Sequence, residues 1–214
     1  MKPILTIIAS YLIGSISFAW LFAKLHSVDL RKVGSGNLGA TNVSRALGKK
    51  WAYACFACDV LKGLIPTAAA KFIFFENGIS STHLSLQLAV GAAAIMGHVF
   101  PLYLKFKGGK GAATSLGVML GLWPYYTIPG LIVFVIWAVA VLIWKYISLA
   151  SIIAAVIFPI LLTVAIAIIN DWKFADLWPL IATAVLLGAM VVFLHRKNIT
   201  RLIAGNENKV LQKD

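Results

Sequence analysis

Five stretches of this chain run for eighteen residues or more without a charged side chain: Pro3–Ala23, Leu84–Leu104, Ala112–Trp144, Tyr146–Ile169 and Leu177–Leu194. A helix of about 20 apolar residues crosses the hydrocarbon core of a bilayer. A sixth apolar run, Trp51–Phe75, is interrupted by Asp59, Lys62 and Lys71. Only 12% of the residues are charged and 61% are hydrophobic, whereas soluble domains average about 25% charged. A soluble chain of this size has too little interior to hide that much apolar surface. The fold class expected is an all-α polytopic membrane protein, organised as one membrane-embedded domain over residues 1–214.

Ala112–Trp144 is long for one span and short for two. Pro124, Pro129 and Gly130 lie in its middle beside Trp123, Tyr125 and Tyr126. Proline and glycine favour a break, and interfacial aromatics favour a membrane surface. Splitting it gives seven spans; one kinked span gives six. The positive-inside rule separates the two. With seven spans, fifteen of the nineteen basic residues share one side: six in 24–50, then Lys105, Lys107, Lys110, Lys145, and five in the tail. Six spans would move the basic tail to the other side. The expected topology is therefore seven helices, N-terminus outside and C-terminus cytoplasmic. The first apolar run follows one lysine and lacks a small-residue cleavage pattern, so it reads as a retained span.

The net charge of +12 raises nucleic acid as a partner. Its placement at span ends points instead to membrane lipids and small anions, and no nucleic acid is expected. Cys55 and Cys58 lack the further ligands a zinc site needs, and a redox motif would need a βαβ context. They read as apolar helix residues; no metal and no cofactor are expected. The small residues Gly91–Ala94 and Gly97 suggest close helix packing.

In the seven-span topology three polar, glycine-rich stretches fall on the cytoplasmic side. The first, GSGNLGATN (Gly34–Asn42), matches G-x-G-x-x-G, but it follows a membrane span and a basic loop. The dinucleotide motif needs a preceding strand, so the match is accidental. Ser35, Asn37, Thr41 and Asn42 offer short polar side chains for hydroxyls or phosphate oxygens, and Arg45 can clamp a phosphate through two donors. A plain hydrogen-bonded loop with a helix N-cap at Thr41 or Asn42 accounts for it equally well.

The second stretch, KFKGGKGAATS (Lys105–Ser115), is not a Walker A loop, because Lys110 is followed by Gly111. It has the parts of a phosphate cradle all the same. Gly108, Gly109 and Gly111 permit close backbone approach. The next helix start offers N–H groups, Lys110 a charge, and Thr114 or Ser115 a hydroxyl. The alternative is a basic turn drawn to lipid headgroups. The third stretch, HRKNITRLIAGNENK (His195–Lys209), spaces His195, Asn198 and Arg201 three apart, on one face if the helix continues past Leu194. Asp59 and Lys62 are charges within a span, where charge is costly unless paired or functional. Asp59 holds Lys62 or anchors Arg45 beneath the first loop. His98 is a weaker signal that a bond to a loop carbonyl would explain.

Taken in order, GSGNLGATN with Arg45, DVLKG (Asp59–Gly63), GHVFP with FKGGKGAAT, and HRKNITRLIAGNENK closely resemble the bacterial integral-membrane acyl-phosphate:glycerol-3-phosphate acyltransferase family, over residues 1–209. The one departure is Ala112, where valine is usual. The resemblance implies transfer of an acyl group from acyl phosphate to the 1-hydroxyl of glycerol 3-phosphate, giving lysophosphatidic acid and phosphate. It implies the first acylation of phospholipid synthesis at the bacterial cytoplasmic (inner) membrane, and contact with the enzyme that makes acyl phosphate. Carried over by position, Gly108, Gly109, Lys110, Gly111 and Thr114 hold the acyl phosphate. Ser35, Arg45, His195, Asn198 and Arg201 hold glycerol 3-phosphate, with Lys110, His195 and Ser35 nearest the chemistry. Asn37, Asn42, Asp59, Lys62 and Glu207 support, Glu207 by pairing with a basic loop residue. The sequence also lacks a G-x-S-x-G elbow, and neither His195 nor His98 begins an H-x-x-x-x-D pattern. The rival function is an organic-phosphate transporter or exchanger. Transporter sites lie near the midplane between repeats; no repeat is visible, and the polar stretches gather on one face.

Overall fold

The computed structural model describes residues 1–74 and 80–210. Phe75, at the end of the interrupted apolar run, and Lys213, among the basic tail residues, lie outside them. The chain divides into two compact units, Met1–Leu122 and Trp123–Asp214.

The first unit holds α1 (Lys2–Ser15), α2 (Phe18–Leu25), α3 (Ala40–Leu47), α4 (Lys49–Phe74), α5 (Ser81–Val99) and α6 (Ala112–Gly121). The first apolar run is broken between α1 and α2, where Ile16 is extended and Ser17 caps α2 by accepting from the Trp20 N–H. A broken helix at membrane depth leaves backbone groups that water cannot satisfy. Two side chains repair them. The Tyr103 hydroxyl donates to the Ser15 carbonyl (2.6 Å) and accepts the Ser17 N–H (2.7 Å). Lys62 Nζ donates to the Ile16 carbonyl at 2.8 Å.

Small residues bring the helices of this unit together, as in other membrane bundles. A Cβ on Gly14 would collide with the Ala94 backbone, on Gly97 with Tyr11, on Gly63 with Thr114, and on Gly117 with Val60. These positions seat α1 on α5 and α4 on α6. Buried Gln87 on α5 donates to the carbonyls of Thr67 on α4 (3.1 Å) and Gly121 on α6 (3.2 Å).

The second unit holds α7 (Thr127–Trp144), α8 (Ile147–Ile168), α9 (Phe174–Leu194) and α10 (Arg196–Ile203). Lys145, in the left-handed region, turns the chain between α7 and α8. The Trp137 indole donates to Ser151 Oγ, and Gly188 lets α9 approach Ala155 of α8. Outward-facing residues such as Leu142, Ile168 and Leu186 are about two-thirds exposed or more, as a surface made for lipid requires.

The chain breaks between Gly121 and Thr127, where the prolines and aromatics suggested, but unevenly. The ten residues of α6 extend about 15 Å, half the ~30 Å hydrocarbon thickness. Among the described residues, five segments are long and apolar enough to cross a membrane: Lys2–Leu25, Ser81–Leu104, Thr127–Trp144, Ile147–Ile168 and Phe174–Leu194. The 26-residue α4 is also long enough, and it is set apart by its internal charges.

Candidate active site

Two of the three polar stretches lie in the first unit, against each other. The first loop follows a 3₁₀ turn, Leu30–Lys32, capped by Asp29. Gly34 and Gly36 adopt φ of +57° and +69°, a region that side chains other than glycine disfavour. Asn42, 1% exposed, holds the loop from inside. Its Oδ1 accepts the Ser35 N–H (3.0 Å), and its Nδ2 donates to the carbonyls of Leu30 (2.9 Å) and Val33 (3.0 Å). The Arg45 stem passes beside Gly34.

The second loop turns through Lys105 and Phe106, both at positive φ. It then runs back along the end of α5: the Gly108 N–H donates to the Val99 carbonyl (3.0 Å) and the Gly109 N–H to the His98 carbonyl (3.1 Å). Gly111 at φ +83° is the N-cap of α6, and no side chain caps that helix start. Among the described residues, the hydroxyl of Thr114, a fully buried residue, has no hydrogen-bond partner, and neither does the buried Ser115 hydroxyl. Buried polar groups are nearly always paired, so two such hydroxyls in the first turn after Lys110 call for an explanation. The loops meet at Gly109, where a Cβ would fall 2.7 Å from the Leu38 carbonyl oxygen. Arg31 bridges them as well, its Nη2 reaching the carbonyls of Leu104 (3.4 Å) and Lys107 (3.5 Å).

Beneath the second loop lies a buried charged group. Lys62 Nζ stands 2.7 Å from Asp59 Oδ1, both side chains 3% exposed, and His98 Nδ1 is 3.7 Å from the same oxygen. Of the two partners considered for Asp59, it has Lys62; the ion pair and the Ile16 carbonyl together account for the ammonium. His98 does not bond a loop carbonyl through its ring; its own backbone carbonyl accepts from the loop.

The third stretch is in the second unit. It is not a straight extension of α9. His195 ends that helix and α10 begins at Arg196. His195 Nδ1 lies 2.8 Å from the Val191 carbonyl. A carbonyl can only accept, so Nδ1 carries the hydrogen, and in the neutral ring Nε2 keeps its lone pair. Glu207 gathers the rest. Its Oε1 accepts from Asn198 Nδ2 (2.6 Å) and Ser148 Oγ (2.8 Å), and its Oε2 from Arg201 Nε (2.7 Å). Burial pushes the Glu207 carboxyl up, but the hydrogen bonds from Arg201, Asn198 and Ser148 outweigh it and hold it below the usual carboxylate range.

Asn42, expected as a supporting residue, spends its side chain inside its own loop. Two sequence expectations need correction. The N-cap of α3 is Gly39, since Asn42 has already turned back toward Leu30. Glu207 pairs with Arg201 of its own tail, because the turn at Gly205 (φ +71°) folds the tail back on α10. Tyr103, Arg31 and Ser148 escaped the sequence reading. Tyr103 and Arg31 act on backbone groups over 70 residues away, which no local pattern announces.

The fold is that of a helical multi-pass membrane protein in which a glycine-lysine loop enters a short helix. Comparison with known proteins is more specific. Residues 4–205 match the family described as "Glycerol-3-phosphate acyltransferase", and the chain belongs to that family. It is 42% identical over 210 residues to the glycerol-3-phosphate acyltransferase of Aquifex aeolicus, covering 98% of this chain and 100% of the relative. It is 43% identical over 211 residues to that of Geotalea daltonii, covering 97% of each. Two crystal structures of PlsY (YgiH), an integral membrane glycerol 3-phosphate acyltransferase, superpose with 38% identity over 98% of this chain. The glycerol 3-phosphate form has a TM-score of 0.84 over 96% of its chain, and the lysophosphatidic acid form 0.81 over 95%.

Proposed function

We propose that this protein transfers an acyl group from acyl phosphate to the 1-hydroxyl of glycerol 3-phosphate, releasing lysophosphatidic acid and inorganic phosphate. Membership of the family supports acylation of glycerol 3-phosphate, and with it a part in phospholipid synthesis. The acyl-phosphate donor is our reading. The observation that carries it is the Gly108–Gly111 loop, with Lys110 in it and the unpartnered Thr114 hydroxyl behind it. These are fittings for a phosphate.

In this reading Gly108, Gly109, Lys110, Gly111 and Thr114 hold the phosphate of the donor. Ser35, Arg45, His195, Asn198 and Arg201 hold glycerol 3-phosphate. Asn37 supports the first loop. The acceptor hydroxyl oxygen attacks the acyl carbon, the bond from that carbon to the phosphate oxygen breaks, and phosphate leaves. Phosphate is a good leaving group, so no covalent enzyme intermediate is required, and orientation supplies most of the acceleration. Lys110 stabilises charge developing on the carbonyl oxygen or the departing phosphate. The hydroxyl proton passes to a phosphate oxygen of the substrate, with His195 Nε2 as the alternative acceptor. No cofactor takes part.

The same reading gives seven spans in the bacterial inner membrane, N-terminus outside, with α4 and the short α6 completing the count and the loops in the cytoplasm. There the enzyme that makes acyl phosphate can contact it. Purified protein in detergent, given palmitoyl phosphate, tests the function. Phosphate release that depends on glycerol 3-phosphate, with matching lysophosphatidic acid, is expected. No release from folded protein would refute acyl transfer, and uptake of organic phosphates by proteoliposomes would then favour the transporter.

A further inference from the structure

We infer that His98 is a positioning residue: its imidazole, anchored by the buried Asp59–Lys62 pair, sets where Gly109 and therefore Lys110 stand. This rests on the reading of the 108–111 loop as a phosphate holder, and it assigns the loop its support.

A Cβ on Gly109 would collide with His98 Nε2. The ring therefore lies directly against the loop backbone, one residue before Lys110. On its other side, Nδ1 faces Asp59 Oδ1 at 3.7 Å, longer than a hydrogen bond but close enough for attraction. Asp59 is in turn fixed by Lys62, and Lys62 by the Ile16 carbonyl. The imidazole is 8% exposed, Asp59 2% and Lys62 4%, so water does not weaken these attractions much. The backbone of His98 holds the same glycine, through its carbonyl and the Gly109 N–H. Ring and carbonyl thus grip one residue from two points, while the ion pair prevents the ring from turning away.

The chemistry gives a reason for such a grip. A loop of four residues, three of them glycine, has little stiffness of its own. Lys110 must nonetheless be placed to within a fraction of an ångström, because misplacement by about 1 Å can cost 100-fold in rate. With Nδ1 turned toward Asp59, Nε2 is the face against the loop. The buried charges in α4, unusual in a membrane helix, then serve a loop formed nearly fifty residues later in the chain.

A double-mutant cycle between His98 and Lys110, read as glycerol 3-phosphate-dependent phosphate release, tests this. His98→Ala should lower kcat/KM by 10-fold to about 100-fold in the otherwise wild-type protein, with the thermal unfolding midpoint little changed. In the Lys110→Ala background the same substitution should change the residual rate by less than about threefold, because the group being positioned is gone. His98→Gln, which can return a polar group to the Nε2 position, should recover part of the loss. Equal losses in both backgrounds would overturn the inference, and so would a His98→Ala enzyme of normal activity. If His98→Ala does not fold, the cycle is run with His98→Gln and His98→Asn, and additivity is again the refuting result. Full activity in Lys110→Ala alone would sink the phosphate-loop reading and this inference with it; additivity with Lys110→Ala impaired but still measurable sinks only the role of His98.

Discussion

Replacing Lys62 by methionine probes the buried charges from which the loop is hung. The substitution keeps all but the terminal atom of the side chain and removes the ammonium, with its ion pair to Asp59 and its bond to the Ile16 carbonyl. Asp59, 3% exposed and 2.7 Å from the ammonium, is left as an uncompensated carboxylate, and breaking a buried pair from one side costs about 3–5 kcal/mol. The Ile16 carbonyl, exposed by the break between α1 and α2, loses its donor, at a further cost of about 1–3 kcal/mol. Lys62→Met should therefore lose about 4–8 kcal/mol. The double variant Asp59→Leu/Lys62→Met removes both charges and should regain the first part but not the second, ending about 1–3 kcal/mol below wild type. At this chain length 1 kcal/mol corresponds to about 2–4 °C in the unfolding midpoint. In detergent, unfolding followed by fluorescence should place the single variant lower by more than about 10 °C and the double within several degrees of wild type. A double variant as unstable as the single would show that the stranded carboxylate is not the cause, and the account of α4 would fail.

Lys110→Ala should reduce turnover by about 100- to 1000-fold, the cost of removing one donor from developing charge, with folding intact; steady-state phosphate release measures it. Thr114→Val removes a hydroxyl that has no hydrogen-bond partner among the described residues. Its thermal stability should not fall, while KM for acyl phosphate should rise by about 10-fold or more, the worth of a hydrogen bond to a charged group; lowered stability with unchanged KM would refute the ligand role of that hydroxyl. His195→Ala should retain part of its turnover if a substrate phosphate takes the proton, and a variant that binds glycerol 3-phosphate normally yet performs no chemistry would refute that route. Glu207→Gln should release the tail: at neutral pH, amide exchange in 196–210 should rise several-fold, since hydrogen bonds to a charge contribute about 1.5–3 kcal/mol. In the wild type the Glu207 contribution is fully present above the ordinary carboxyl value of about 4.5 and fades as the pH falls below it through the lowered native value. Tail protection should follow that direction, and the Glu207→Gln protein should show no such dependence.

The sequence alone determined the helices, because twenty uncharged residues in lipid leave the backbone one way to satisfy itself. It also determined the break in the 112–144 run, since Pro124, Pro129 and Gly130 interrupt any continuous helix there. The glycine-lysine loop was visible as well, as local chemistry in adjacent residues. What the tertiary structure decided were the pairings of groups remote in sequence. Nothing in GSGNLGATN says that Asn42 turns inward while Arg45 flanks Gly34. No pattern predicts that Tyr103 repairs the break at Ile16 or that His98 backs Gly109. The sequence left Asp59 with Lys62 or Arg45 to hold, and packing put Lys62 at 2.7 Å. The physical reason is that periodicity reports the solvent each residue faces, which is an average over its surroundings. A hydrogen bond in a dry interior depends on where one particular atom sits, and that is fixed only when the helices close on one another.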